Sequence, residues 1–236
     1  MPPKKKEKLR KKSQSGWNTK KIVIVLVGVL LAVAMIVSLM PMSMFSTFKT
    51  AEAGDVAIVD YTLRDDRDIP IATSNQNMYN AVSQQGGIIL LTDYLRVPVN
   101  ISTEQEIISI PILNEGYQGA PFGILSTEWN AMSNGLVGMR ESGSKTVTVK
   151  ENSALLLTMD KEKVENIGLN FTQASVGMQL PVVVTVQSYE NILNNTTPQD
   201  FALRLGYVSD KTDDELSLNH AYTRADIRLI RLDRSG

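Results

Sequence analysis

The stretch NGLVGMRESGSKTVTV, Asn134 to Val149, changes period halfway along. Around its first half Trp129, Met132, Leu136 and Met139 recur three and four apart, the spacing of one helix face. Past Gly143-Ser144, the run Thr146-Val147-Thr148-Val149 alternates as a half-buried strand does. The pattern predicts a short amphipathic helix, Trp129 to Met139, that stops before Gly143. Gly143 then lets the chain reverse into a strand over Lys145–Lys150. A helix with one apolar stripe needs a sheet to bury it, so strands should surround this stretch.

They do. Upstream, DVAIVDYTL (Asp55–Leu63) places Ala57, Val59, Tyr61 and Leu63 on one face. Asp65-Asp66-Arg67-Asp68 reads as a solvated turn, and Ile69-Pro70-Ile71-Ala72 resumes an extended course, Pro70 favouring an edge position. Residues 75–127 mix polar runs, the breaker Gly86-Gly87 and apolar runs with prolines, an insertion with some strand content. Downstream, Asp160 can cap a brief helix through KEKVEN, and Leu180–Val186 is β-rich. FALRLGYVS and ELSLNH form a hairpin around Asp210–Asp214, and Ala225–Leu232 is a terminal strand. Strands dominate and helices are short, which predicts an α+β domain with an antiparallel sheet wrapped on one helix.

Composition narrows the chemistry. The 236 residues contain no cysteine, so disulfides, thiolate metal sites and cysteine nucleophiles are excluded. His220 is the single histidine, leaving one imidazole and no multi-histidine metal centre. No acidic cluster has calcium-loop spacing, and Gly86-Gly87 has no phosphate-loop context. No metal or other cofactor is implied.

The net charge of −1 hides an asymmetry: residues 1–21 hold nine Lys/Arg against one Glu. Ile22 to Met40 then runs nineteen residues without a charge, enough at about 1.5 Å per residue to match a bilayer core. The basic cluster reads as a positive-inside signal, with Trp17 at the interface, and the rest of the chain outside the cytoplasm. The rival reading is a signal peptide cut at Ala51-Glu52-Ala53, although the apolar run exceeds the roughly 7–15 residues of such segments. The expected location is a single-pass cell-membrane protein with its N-terminus cytoplasmic. Beyond the tail the chain is acidic and carries no nucleic-acid footprint.

Three passages together resemble the FKBP-type prolyl isomerases, in particular their SlyD-like bacterial and archaeal branch. Gly54-Asp55-Val56 through Val59-Asp60-Tyr61-Thr62 resembles the opening strand "GD.V.V.YT". Gly135-Leu136-Val137-Gly138-Met139 with Gly143-Ser144-Lys145-Thr146-Val147-Thr148-Val149 resembles "aL.GM..GeK.tv.v". Thr212-Asp213-Asp214-Glu215-Leu216-Ser217-Leu218-Asn219-His220 resembles the "dd.v..D.NH" return before a last strand. The resemblance covers about residues 54–74 and 128–236. It implies a basic tail (1–21), a membrane helix (22–40), a tether (41–53) and an FKBP-like antiparallel half-barrel (54–154 and 217–236, with 75–127 inserted). A β-rich insert-in-flap chaperone subdomain would occupy 155–216.

The same resemblance implies site residues. Tyr61 falls on a pocket tyrosine, Ile71 and Ala72 stand where the family has phenylalanine and aspartate, and Met132 stands on the pocket floor, with Trp129 one turn earlier. Leu229 falls near a terminal-strand phenylalanine, and His220 matches the branch's Asn-His. No flap tyrosine stands near Asn152–Leu155. Such a pocket turns an X-Pro bond without nucleophile, metal or proton relay, by preferring the twisted amide over both planar forms across a barrier of about 18–20 kcal/mol. No residue is expected to act covalently. The expected function is a membrane-anchored isomerase and folding chaperone acting on unfolded, proline-containing polypeptides. The alternative is a non-catalytic peptide-binding relative with a degenerate site, and a third reading makes residues 75–127 the binding face of a surface module.

Overall fold

The computed structural model describes residues 19–39, 50–117, 119–150, 155–166, 168–185 and 201–233. The tail through residue 18 with Trp17, the tether 41–49 and the flap positions 152–154 lie outside the described residues. The chain divides into two units, residues 1–46 and 47–236.

The first unit contains helix α1 (Thr19–Leu39), 21 residues long, whose side chains over 22–36 are exposed and, glycine apart, wholly apolar. Among the described residues no helix is long and apolar enough to cross a membrane. In α1 the described side chains run unbroken only over 22–36, whereas the span read from the sequence also draws on 37–40.

The second unit is α+β, with two six-stranded sheets. In the first, β1 (Val56–Arg64) and β12 (Arg224–Asp233) pair antiparallel along their whole lengths. Alternation decides their faces: Val59, Tyr61 and Leu63 stand opposite Leu229, Ile227 and Ala225, and all six are buried. A register shift at Ile58/Val59 leaves Ile230 unpaired and exposed, and keeps the inward set in phase. β2 (Pro70–Thr73) and β4 (Leu95–Pro98) share the other edge of β1; β3 (Leu90–Leu91) lies parallel to β2, and β7 (Ser144–Thr148) flanks β12.

The second sheet runs β5 (Ile107–Pro111), β6 (Pro121–Leu125), β10 (Phe201–Lys211), β11 (Glu215–Asn219), β8 (Leu156–Asp160), with β9 (Gln179–Thr185) on the free side of β10. β10 meets β6 at a single parallel pair, Leu203 opposite Phe122. Both sheets are therefore mixed rather than antiparallel throughout. Residues 75–127 supply strands to both, together with helix α2 (Gln76–Gln84), which ends before Gly86-Gly87.

Helix α3 (Ser126–Gly135) fills the first sheet with Met132 and the capping residue Leu136, both fully buried. Burial of such side chains stabilises by roughly 1.5–3 kcal/mol each. Ser133 Oγ donates to Pro98 O at 2.6 Å, and a Cβ on Gly135 would overlap Val147 Cγ1, so the helix sits directly against β7. The helix ends at Gly135, a turn earlier than its apolar stripe suggests. The left-handed positions of the reversal are Gly138 (φ 75°) and Ser142 (φ 65°), not Gly143. Gly143 serves by close approach: a Cβ there would lie 2.8 Å from the Arg140 carbonyl oxygen.

Two further expectations change. β2 is interior, between β1 and β3; Pro70 is tolerated because β3 pairs only with Ala72 and Thr73. The 65–68 turn is not simply solvated. Asp65 is 1% exposed, its carboxylate accepting from the backbone of Arg67 and Ile69 and from the Arg67 guanidinium at 2.7 Å.

The second sheet has its own core beneath helix α4 (Lys161–Asn166), made of Met159, Val164, Phe171, Ala174, Leu180, Val182, Val208, Leu216 and Leu218. Asp160 Oδ1 accepts from Lys163 N at 2.8 Å, capping α4 as the sequence suggests. The chain enters this unit through packed residues: Thr50 bridges Arg140, and Ala51 is 1% exposed with hydrogen bonds to Met139 and Gly138.

Candidate functional site

Period-two alternation aims Tyr61 and Leu229 inward from neighbouring central strands, and Met132 meets them from α3. Tyr61, Ile71, Ala72, Met132 and Leu229 belong to one core cluster, each 0–1% exposed, with Trp129 packed half-buried against it. The sequence-derived set is thus brought together, apart from His220. The groove it would line is filled: Phe122 and Ile124 of β6, Leu203 and Leu205 of β10, and Tyr222 complete the same cluster. The Phe122 and Tyr222 rings stack at 6.1 Å.

The Tyr61 hydroxyl is already engaged, 2.6 Å from Thr92 Oγ1. Thr92 Oγ1 donates to Thr73 O at 3.2 Å, so its one proton is used and Tyr61 is the donor of the pair. Burial raises the Tyr61 pKa far above the ordinary phenol range, and it stays neutral.

Beside this tyrosine lies a buried polar cluster. Glu128 and Arg204 form a bidentate pair, Nη2–Oε1 at 2.6 Å and Nη1–Oε2 at 2.9 Å. Arg204 also donates to Gly123 O (2.7 Å) and His220 O (2.8 Å), and its Cζ stands 4.0 Å from the Tyr222 ring centroid. Glu128 Oε2 accepts from Leu125 N, so the same carboxylate caps α3. Burial alone would lower the Arg204 pKa; the Glu128 and Tyr222 oxygens more than offset it, and the guanidinium stays charged. The Tyr222 hydroxyl accepts from Leu205 N and donates to Leu205 O, both at 3.0 Å.

His220 is 8% exposed, and burial together with the Arg204 charge pushes its pKa down to about 4. Its Nδ1 and Arg204 Nε are buried without partners. A neutral imidazole and a committed ion pair brace the strands they join. Among the described residues no set of three or more potential metal ligands gathers.

The chain matches no protein-family model and no curated protein sequence.

Two described cavities lie away from the Glu128–Arg204 pair. One, about 390 Å³, sits on the outer face of the first sheet among Asp60, Thr62, Met78, Thr146, Asp226 and Arg228. Its carboxylates are satisfied: Asp60 accepts from Ser74 and Asn75, Asp226 from Thr146 and Arg64. Tyr61 also borders it, although the residue is 1% exposed. The other, about 270 Å³, lies by Pro111 and Pro121.

Sequence reasoning passed over Thr92, Glu128, Arg204 and Tyr222. Arg204 carried a signal: it is the lone charge in the apolar run FALRLGYV, and a charge there requires a buried partner.

Proposed function

We propose that the outer unit is an FKBP-like polypeptide-holding domain, tethered to the membrane by the 22–40 segment, whose proline groove is closed and non-catalytic in the form described. One observation carries this reading: five groove residues are 0–1% exposed inside a continuous core that Leu203 and Leu205 help to fill. A proline side chain has no room among them. The motifs in order, β1 beside β12, and α3 packed on that sheet agree with the resemblance. Apolar surface suited to unfolded chains remains along β8, β9 with the turn before it, and the start of β10, where Leu156, Val176, Met178, Val183 and Phe201 are exposed. Isomerase activity is the second reading, favoured because the groove residues do converge on one place.

A protease-coupled assay on a proline peptide, run beside an aggregation-suppression assay, separates the two. The holding reading expects no rate above the spontaneous one, and suppression that Tyr61→Phe leaves intact. Turnover lost in Tyr61→Phe would establish the isomerase instead. Protection of the outer unit from external protease in sealed vesicles would count against the proposed orientation.

A further inference from the structure

We propose that Asn100 is an acceptor for an N-linked glycan, open to transfer even on the folded outer unit; this rests on the outward orientation proposed above. The chain holds four Asn-x-Ser/Thr triplets, beginning at Asn100, Asn170, Asn194 and Asn195, the last two outside the described residues. A transferase must reach the carboxamide of the first residue and the hydroxyl of the third, and must draw the backbone between them into its cleft. Asn100 stands in the turn after β4 with φ 56°, a left-handed conformation that asparagine tolerates. Asn100, Ile101 and Ser102 are all exposed. Among the described residues neither the Asn100 carboxamide nor the Ser102 hydroxyl has a hydrogen-bond partner. Backbone bonds hold the triplet: Asn100 N donates to Ser133 O at 3.1 Å and Ile101 N to Ser133 Oγ at 3.0 Å. Drawing the triplet out breaks those bonds but takes none of its side chains from the core.

Asn170-Phe171-Thr172 has the same pattern and the opposite packing. Asn170 and Thr172 are exposed, but Asn170 Oδ1 accepts from Thr172 N at 3.0 Å and Gln173 N at 3.2 Å. Phe171 between them is 4% exposed and belongs to the core of the second sheet. Its carbonyl accepts from Lys211 Nζ at 2.7 Å, and that ammonium stands 4.8 Å from the ring centroid. Presenting Asn170 means pulling a buried phenylalanine from its core, so this triplet closes once the chain has folded. The middle residue thus ranks two triplets that the motif alone leaves equal.

The donor is a lipid-linked pyrophosphoryl oligosaccharide. Asn100 Nδ2 bonds to the anomeric carbon, and the bond from that carbon to the pyrophosphate oxygen breaks. The lipid pyrophosphate leaves with the electron pair, and a carboxylate of the transferase takes the Nδ2 proton.

The test weighs the tryptic peptide 97–140 of the full chain, purified from the membranes of its own cell. A sugar-bearing mass that fragments to Asn100 is expected. Ser102→Ala keeps Asn100 yet should return the peptide to its bare mass, whereas Ser102→Thr should retain the sugar. In a second arm the folded, unmodified full chain in detergent receives transferase and donor. Asn100 should gain sugar, and Asn170 should gain it at least about tenfold more slowly. Equal rates at the two would overturn the account of Phe171. A bare 97–140 peptide from the cell overturns the proposal. External protease on intact and permeabilised cells then separates the causes. If the outer unit is cut in intact cells, the glycan inference falls alone; if it is cut only after permeabilisation, the orientation falls with it.

Discussion

Arg204 grips Glu128 through two parallel hydrogen bonds, of 2.6 and 2.9 Å, with both side chains closed to solvent. Removing one partner strands a charge in the core. Glu128→Ala or Arg204→Ala is expected to destabilise by about 3–5 kcal/mol, read as a lower urea midpoint. The double variant Glu128→Leu/Arg204→Met should recover most of that loss, because well-packed apolar residues replace a buried pair with little penalty.

His220 gives the unit an acid-sensitive slope. Its folded pKa of about 4 lies below the ordinary 6.5, so the unfolded chain binds the extra proton between those values. Stability is full above about 6.5 and falls, by roughly 1–3 kcal/mol in all, as the pH drops toward 4. Facing groups that hold the proton off are Arg204 and the surrounding apolar burial. Melting curves of His220→Gln against the parent across this range check it: the variant should lose that part of the slope.

Tyr61→Phe deletes the donor to Thr92 but leaves Thr92 its bond to Thr73 O. The expected cost is about 1 kcal/mol in denaturant unfolding. A cost near zero would mean that the Tyr61–Thr92 bond does not form.

Ala51 is 1% exposed and exchanges two backbone hydrogen bonds with Met139 and Gly138. A protein beginning at Asp55 should melt several degrees below one beginning at residue 47, about 2–4 °C for each kcal/mol lost. Equal melting temperatures would show that the segment adds nothing.

Gly135 faces Val147 with no space for a Cβ. Gly135→Ala should force α3 from β7 and cost about 1–3 kcal/mol, despite alanine's better helix propensity.

The local pattern was readable where one periodicity dominates. The inward positions Ala57, Val59, Tyr61 and Leu63 of β1 recur every second residue, and Asp160 before KEKVEN marks a helix start by its capping chemistry. Long-range pairing was not. Glu128 and Arg204 are 76 positions apart, and no local rule joins them. The run Asp65–Asp68 has the composition of a solvated turn; only the arrival of Tyr207, 141 positions later, makes it a junction. Ser142 takes the left-handed turn position although a glycine stands next to it, because Gly143 is needed where the Arg140 carbonyl comes close. For the site, Tyr61, Ile71, Ala72, Met132 and Leu229 share one core cluster, and no local pattern could say that Leu203 and Leu205 of β10 would join it.

The pairing of β1 with β12 sets the order of assembly. Val56 stands opposite Asp233, so the central ladder of the first sheet joins the two ends of the outer unit. During synthesis β1 emerges early and waits, its edge at Val59, Tyr61 and Leu63 without the β12 partner, while the strands between them are made. The central β1–β12 ladder can close only after β12 has left the ribosome. A chain stalled or truncated before Arg224 would lack the strand that completes this core, and would itself become the kind of client this domain is proposed to hold.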